Sequence, residues 1–488
     1  MNKISFLFIL FILGCPFFLG AQSSFPSLKK DPLAVEYAQR AKSGMSWEDL
    51  AEISLWASGV ENPAAQGSGG RLAFLLKNAV SNLLAEQDLP PGERDRGEYI
   101  QEFMFKKQLL KRYSENQTRM DTLLDNGNYN CVSSAVLYAI FAKALGLDVR
   151  GVVTKDHVFI KLIAEGREID IETTNRYGFE PGNRKEFHDG FGSATGFAYV
   201  PAHNYQSRTD INSLELISLI FNNRITELER ASRFAEAVPL AISRAELLSN
   251  PTDTKYSNFF ADPQKMVMDR IFNYGAYLIK QGKENDALLW ADIASPLYPD
   301  PVRWKEFVNA GLNNLLLKLV RAKRFTDAWN ALAANAPRLD AEDHKRLGAM
   351  LADADLSQKV SAIKTAKDAD DVLGLLKNSP ALLPAGRLRE MTIYTLCKKA
   401  EFTAQSGGYK TAIAFIETAL KEHGPDSRFD NLLKAFRANR VAELHNAFAE
   451  AYNKKNFENA RALLEDALGE FPGNSQLLRD KEIADKAR

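Results

Sequence analysis

Hydrophobic positions along this chain follow three successive rhythms. Up to about residue 120 the spacing is helical. Leu50, Ile53 and Ala57, with Trp47 and Trp56, predict a helix that stops at Gly59. The Gly-, Ala- and Ser-rich stretch 62–70 reads as a loop, and Pro90-Pro91-Gly92 marks a second break before a helix over Tyr99–Met120. The rhythm then changes. Cys131–Leu145 is apolar almost all round (Val132, Ala135, Val136, Ala139, Ile140, Ala142), which predicts a buried helix halted by Gly146. Val149–Thr154 and His157–Ile163 are β-rich, Glu165-Gly166 suits a tight turn, and Ile169–Thr174 supplies a third strand. A helix followed by antiparallel strands defines an α+β unit. The Gly-, Asn- and Pro-rich stretch Phe179–Tyr205 reads as a long surface loop or lid.

From about residue 211 the β signal ends and a helical repeat takes over. An aromatic residue stands three before an alanine at the start of a second helix: Phe234 and Ala237, Phe325 and Ala328, Tyr409 and Ala412, Phe457 and Ala460, with a weaker copy at Glu284 and Ala287. Pro251, Pro299, Pro337, Gly424 and Pro472 close the copies. The small alanine lets two helices approach, and the aromatic fills the groove beside it. The pattern resembles tetratricopeptide repeats, for example in Tyr274-Gly275-Ala276-Tyr277 leading to Ala287. The intervals from Ala237 to Ala287 and from Ala412 to Ala460 exceed the repeat of about 34 residues, so long helices or irregular joins must intervene. The expectation is an all-α, tetratricopeptide-like solenoid over 211–488.

The N-terminus refines this division. Lys3, the apolar run Ile4–Leu13 and the small residues Gly20 and Ala21 form a secretory signal over residues 1–21, too short to span a bilayer as an anchor. A second processing pattern, Ile12-Leu13-Gly14-Cys15, has the form of a lipoprotein box in which Cys15 would carry a lipid anchor. Pro16-Phe17-Phe18 after that cysteine suit cleavage near Ala21 better. The expected location is the periplasm or cell envelope, with no transmembrane span in the mature chain. The mature domains are then 22–210, an α+β domain with a helical N-terminal part, and 211–488.

Composition excludes more than it identifies. Lys+Arg and Asp+Glu both number 62, which leaves no net charge to draw the chain to nucleic acid. No phosphate loop, nucleotide fingerprint or metal-ligand spacing is present, so no cofactor and no metal are expected. Without Cys15, only Cys131 and Cys397 remain of the three cysteines, in what read as different domains. A lone thiol in an exported protein calls for a use.

Cys131 has the local setting of a nucleophile. It follows the turn-forming Asn126-Gly127-Asn128-Tyr129-Asn130, in which Asn130 suits an N-cap. The free N–H groups of the first helical turn would favour a negative sulfur. His157 begins a strand and shares the less apolar face with Phe159 and Lys161, where it can meet a helix N-terminus. Two carboxylates could orient it, Asp170 and Glu172. If Ala164 and Arg167 flank a two-residue turn, His157 faces Thr174 and Glu172 becomes its diagonal neighbour, about 7–8 Å away at the backbone. Asp170 then lies roughly 14 Å away at about 3.4 Å per residue. A three-residue loop would turn both carboxylates to the other face.

Asn130-Cys131-Val132-Ser133-Ser134-Ala135, then Ala144-Leu145-Gly146-Leu147, then His157-Val158-Phe159-Ile160 and Glu172-Thr173-Thr174 resemble the core of the transglutaminase-like branch of the papain-type thiol hydrolases. Glutamate stands where that family usually has aspartate. The resemblance covers roughly residues 100–205. It implies a nucleophilic Cys131, His157 as general base and acid, and Glu172 orienting the imidazole, with no cofactor. The implied activity is thiol-dependent cleavage or transfer at an amide bond of a peptide or protein, with the repeats binding a peptide or protein partner. The alternative is an inert transglutaminase-like fold that serves as a cell-envelope binding scaffold.

Overall fold

The structure is a computed structural model that describes residues 25–63, 68–155, 157–182, 185–195, 208–249, 262–379 and 383–486. The signal segment, Cys15 and Pro251 lie outside the described residues. The chain divides into two compact units, one ending at Trp304 and one beginning at Lys305. The fold is mainly helical, with a small antiparallel sheet in the first unit and a solenoid-like succession of helices toward the C-terminus.

The first unit opens with α1 (Pro32–Lys42), α2 (Trp47–Ala57), α3 (Ser68–Leu84) and α4 (Glu93–Lys106). Ser46 caps α2 in a reciprocal box with Asp49, and the helix ends before Gly59, as its spacing predicts. The helix expected over Tyr99–Met120 instead ends at Lys106. Gln108 then adopts a positive φ, and the chain forms β1 (Arg112–Tyr113), α5 (Met120–Asn126) and β2 (Asn128–Tyr129). The cause is tertiary: β1 pairs parallel to β2, with Tyr113 opposite Tyr129.

α6 (Cys131–Ala144) is the centre of this unit. Every residue from Val132 to Ala142 is buried, and the helix packs on the sheet as well as on α2, α4 and α8. Asn130 caps it, accepting from the Val132 and Ser133 N–H groups, while the Ser133 hydroxyl accepts from the Asn130 N–H. At the other end Gly146, at φ +73°, lets the Leu147 N–H return to the Ala142 carbonyl.

Three strands follow: β3 (Asp148–Val153), β4 (Val158–Ala164) and β5 (Arg167–Ile171). Glu165 and Gly166 both have positive φ, which a two-residue hairpin of the twisted kind requires. The register therefore runs from Ala164 opposite Arg167 to Ile160 opposite Ile171, the pairing that the two-residue turn dictates. The stretch read as a surface loop contains α7 (Lys185–Thr195), and its residues 183, 184 and 196–205 lie outside the described ones. A short strand with no clear sequence signal, β6 (Thr209–Ile211), joins the β3 edge and completes the order β5-β4-β3-β6. Next come α8 (Ser213–Arg230), α9 (Phe234–Leu247), α10 (Pro263–Lys280) and α11 (Glu284–Ala294). α8 packs on α2 and α6, and α9 on α1.

The repeat alanines mark one structural device. Phe234, Glu284, Phe325 and Phe457 are each the first residue of a helix, and Ala237, Ala287, Ala328, Ala412 and Ala460 are all buried. After α12 (Pro301–Arg321), the second unit carries α13 (Phe325–Asn335), α14 (Ala341–Ser361), α15 (Ala366–Lys377), α16 (Ala385–His423), α17 (Ser427–Asn453), α18 (Phe457–Glu470) and α19 (Ser475–Lys486). The long interval before Ala460 is taken up by the 27-residue α17. α16 is bent at Gly408, whose φ of +79° makes Tyr409 the start of a second helical segment.

The other turns before these helices share a left-handed residue two positions upstream: Ser232, Gly282, Lys323 and Lys455. Side chains are strained there by about 1–2 kcal/mol. Lys323→Gly is expected to stabilise the protein by about 0.5–1 kcal/mol, the strain relief less the added entropy of the unfolded chain. Gly282→Ala is expected to destabilise it by about 1 kcal/mol. Urea unfolding midpoints check both signs.

Candidate active site

The site begins at the tip of α6. Cys131 occupies the first helical position, and no group among the described residues accepts its N–H. His157 directly precedes β4. Its carbonyl accepts from the Thr154 N–H at 2.9 Å, which closes the β3–β4 hairpin and fixes the histidine backbone at the start of β4.

Glu172 follows β5 directly, and the chain from 172 to 178 forms a tight loop around its backbone. The Glu172 N–H donates to the Gly178 carbonyl at 2.8 Å, and the Gly178 N–H donates to Asn175 O at 3.0 Å. A side chain at Gly178 would place its Cβ 1.9 Å from Glu172 O, so the loop closes only with glycine there. Gln101, fully buried on α4, donates its amide to the carbonyls of Glu172 at 3.0 Å and Asn175 at 2.5 Å.

The Glu172 carboxylate is 3% exposed and fully engaged. Oε1 accepts from the Thr174 N–H at 3.1 Å and the Thr174 hydroxyl at 2.6 Å, while Oε2 accepts from His157 Nε2 at 2.5 Å. Two further bonds tie this loop to the helix tip. The hydroxyls of Ser134 and Thr173 are 2.8 Å apart, and the Tyr129 hydroxyl donates to Thr174 O at 3.0 Å. The carboxylate and the cysteine are thus held in one frame.

Nε2 is taken by Glu172, which leaves Nδ1 for the sulfur, and Cys131 is among the groups close enough to act on the charge of this imidazole. Burial alone would favour neutral His157. The charge of Glu172, then the neighbouring Cys131, overcome that and hold the imidazole's pKa well above the usual histidine range. The ring is only 16% exposed and lies between Phe159, at 6.5 Å between centroids, and Phe191 of α7, edge-on at 6.1 Å.

The structure therefore brings together Cys131, His157 and Glu172 and leaves Asp170 aside. Asp170 forms a two-point ion pair with Arg208, at 2.6 and 3.1 Å, and Arg208 lies over the Phe159 ring. Cys397 is buried in α16, and burial pushes its thiol up to about 11. Gln101 and Phe191 carry no local motif and could not be read from the sequence, and Tyr129 and Ser134 stand in the stretch around Cys131 with nothing there to mark their hydrogen bonds to the Glu172 loop. Only the threonines after Glu172 gave a signal.

No family model matches the sequence, and no curated protein matches it. Among solved structures, a crystal structure of menin that reveals the binding site for Mixed Lineage Leukemia (MLL) protein aligns with 80% of this chain and 94% of its own. Identity is 13% and the TM-score is 0.33, a likeness that carries no functional argument. Among the described residues, no helix is long and apolar enough to cross a membrane.

Two outcomes follow from this geometry. Gly178→Ala should destabilise the protein by at least about 2 kcal/mol, because the clash is with backbone. The folded pKa of His157 is raised, so its pairing stabilises fully below the unfolded value of about 6.5 and fades as pH rises through the folded value. Urea titrations of wild type and Glu172→Gln should therefore show a larger stability gap at about pH 6 than at about pH 9. A gap that grows with pH would contradict the pairing.

Proposed function

We propose that this chain is an exported thiol-dependent enzyme acting on amide bonds of peptides or proteins, with a transglutaminase-like catalytic domain. The observation that carries the reading is His157 held between a fully satisfied buried carboxylate and a cysteine at a helix N-terminus. In this reading the Cys131 sulfur attacks the carbonyl carbon and the π-electron pair moves onto oxygen. His157 gives its proton to the departing amine, leaving an acyl group on sulfur. Water or a second amine then takes the acyl group, with His157 as base. Glu172 keeps the imidazole in the required tautomer and orientation. The Cys131 N–H, which has no acceptor among the described residues, would donate to the oxygen that gains charge.

The helical repeats would bind the peptide or protein partner across their surface. In this reading the N-terminal signal would direct the chain to the periplasm or cell envelope, and the chemistry calls for no cofactor.

The test is iodoacetamide labelling at neutral pH, followed by mass spectrometry of the Cys131 peptide. Cys397, raised by burial, serves as the unreactive internal comparison. His157→Ala is expected to slow Cys131 labelling on the order of tenfold or more, with Glu172→Gln intermediate. Equal rates in wild type and His157→Ala would leave the inert binding scaffold as the function.

A further inference from the structure

Ion pairs run across one face of the sheet and join strands that are not neighbours. Phe159 and Lys161 share that face by strand alternation, and Asp170 stands opposite Lys161 in the register. β5 and β6 are the two edges, with β4 and β3 between them. Lys161, only 8% exposed, donates to Asp210 of β6 at 2.8 Å and pairs with Glu168 of β5 at 3.0 Å. Arg208, the residue before β6, reaches the opposite edge, where its two terminal nitrogens meet the Asp170 carboxylate at 2.6 and 3.1 Å. A guanidinium held at two points cannot turn, so its flat group stays where it lies, 5.1 Å over the centre of the Phe159 ring. Phe159 is buried, and its ring is 28° from parallel to the His157 imidazole.

This clasp meets a need that Glu172 leaves open. One hydrogen bond at Nε2 fixes a single point of the imidazole and leaves its plane free to swing about that bond. For Nδ1 to face the sulfur, the plane must be held as well. We propose that Arg208 and Asp170 are positioning residues for His157: their two-point pair pins the Phe159 ring, and the pinned ring fixes the plane of the imidazole. The proposal rests on the reading of Cys131 and His157 as a catalytic pair. It gives Asp170 a part in the site without contact with the imidazole, two residues ahead of Glu172. The charge on His157 is governed by Glu172 and Cys131, and Phe191 of α7 presents a ring edge to it. Arg208 and Asp170 offset each other, so the clasp acts through shape and not through net charge.

The experiment measures Cys131 alkylation by iodoacetamide across pH on the full chain, with thermal melting as the control for folding. Arg208→Gln is expected to slow labelling at neutral pH by about threefold to fivefold and to move the midpoint of the profile toward the free-thiol value of about 8.5. Arg208→Lys keeps the charge but loses the planar fork, and should behave like Arg208→Gln. Asp170→Asn should act in the same direction to a smaller degree. Phe159→Leu removes the ring that transmits the effect, and in that background Arg208→Gln should change the rate by less than about twofold. A full effect of Arg208→Gln without the ring would overturn the proposal, as would a wild-type profile in Arg208→Lys. If Phe159→Leu does not fold, the Arg208→Lys comparison decides. A lowered melting temperature with an unmoved profile would make the clasp a tie between strands and overturn its role at the site. Labelling in His157→Ala that equals wild type would remove the catalytic pair itself, and the clasp with it. Slowing in His157→Ala but not in Arg208→Gln would remove the clasp alone.

Discussion

A carboxylate buried at the edge of a small sheet is the constraint around which the first unit is organised. Taking a charged Glu172 out of water costs several kcal/mol unless each oxygen finds a donor. The fold supplies them from three directions: Thr174 backbone and hydroxyl to one oxygen, and the His157 ring to the other. Each donor needs its own support. Thr174 is held through Tyr129, Thr173 through Ser134, and the loop backbone through Gln101 and the close turn at Gly178. The carboxylate then acts outward, since an imidazole gripped at Nε2 can offer only Nδ1 to the sulfur at the tip of α6.

The same frame explains which parts of the site the sequence could reveal. Register was legible because Glu165-Gly166 admits left-handed backbone at both positions, and a two-residue turn fixes every pair in the β4–β5 hairpin. That register separates Glu172 from Asp170, whose charge goes to Arg208. Cys131 was legible from its N-cap and the apolar helix behind it. What stayed hidden depends on residues far apart in the chain. Gln101 reaches the Glu172 loop from α4, and nothing in its own helix marks it. β1 and β2 have only two residues each and exist because they pair with each other, so the local helical signal over Tyr99–Met120 prevailed in the sequence reading. β6 is just as short and is defined by its place beside β3.

The repeats were legible for a different reason. A buried alanine facing a neighbouring helix is a local need that recurs, so Ala237, Ala287, Ala328, Ala412 and Ala460 announce the helix pairs one by one. Helix length is less constrained by local sequence. The 39-residue α16 with its bend at Gly408, and the 27-residue α17, stretch the period beyond what compact repeats show. The core here is a chain of small clusters, one around Ala412 and Phe429 and another around Ala460 and Leu477, as expected when each helix pair is buried by its neighbours.

One charged grip, Glu172 on His157, holds the arrangement together, and proton NMR of the His157 ring across pH reads it directly. In wild type the imidazolium should persist well above pH 6.5, the ordinary midpoint being about that value, and in Glu172→Gln it should fall back toward it. A wild-type His157 that titrates near 6.5 and is indifferent to Glu172→Gln would show that the carboxylate does not hold the ring, and the catalytic arrangement would be lost with it.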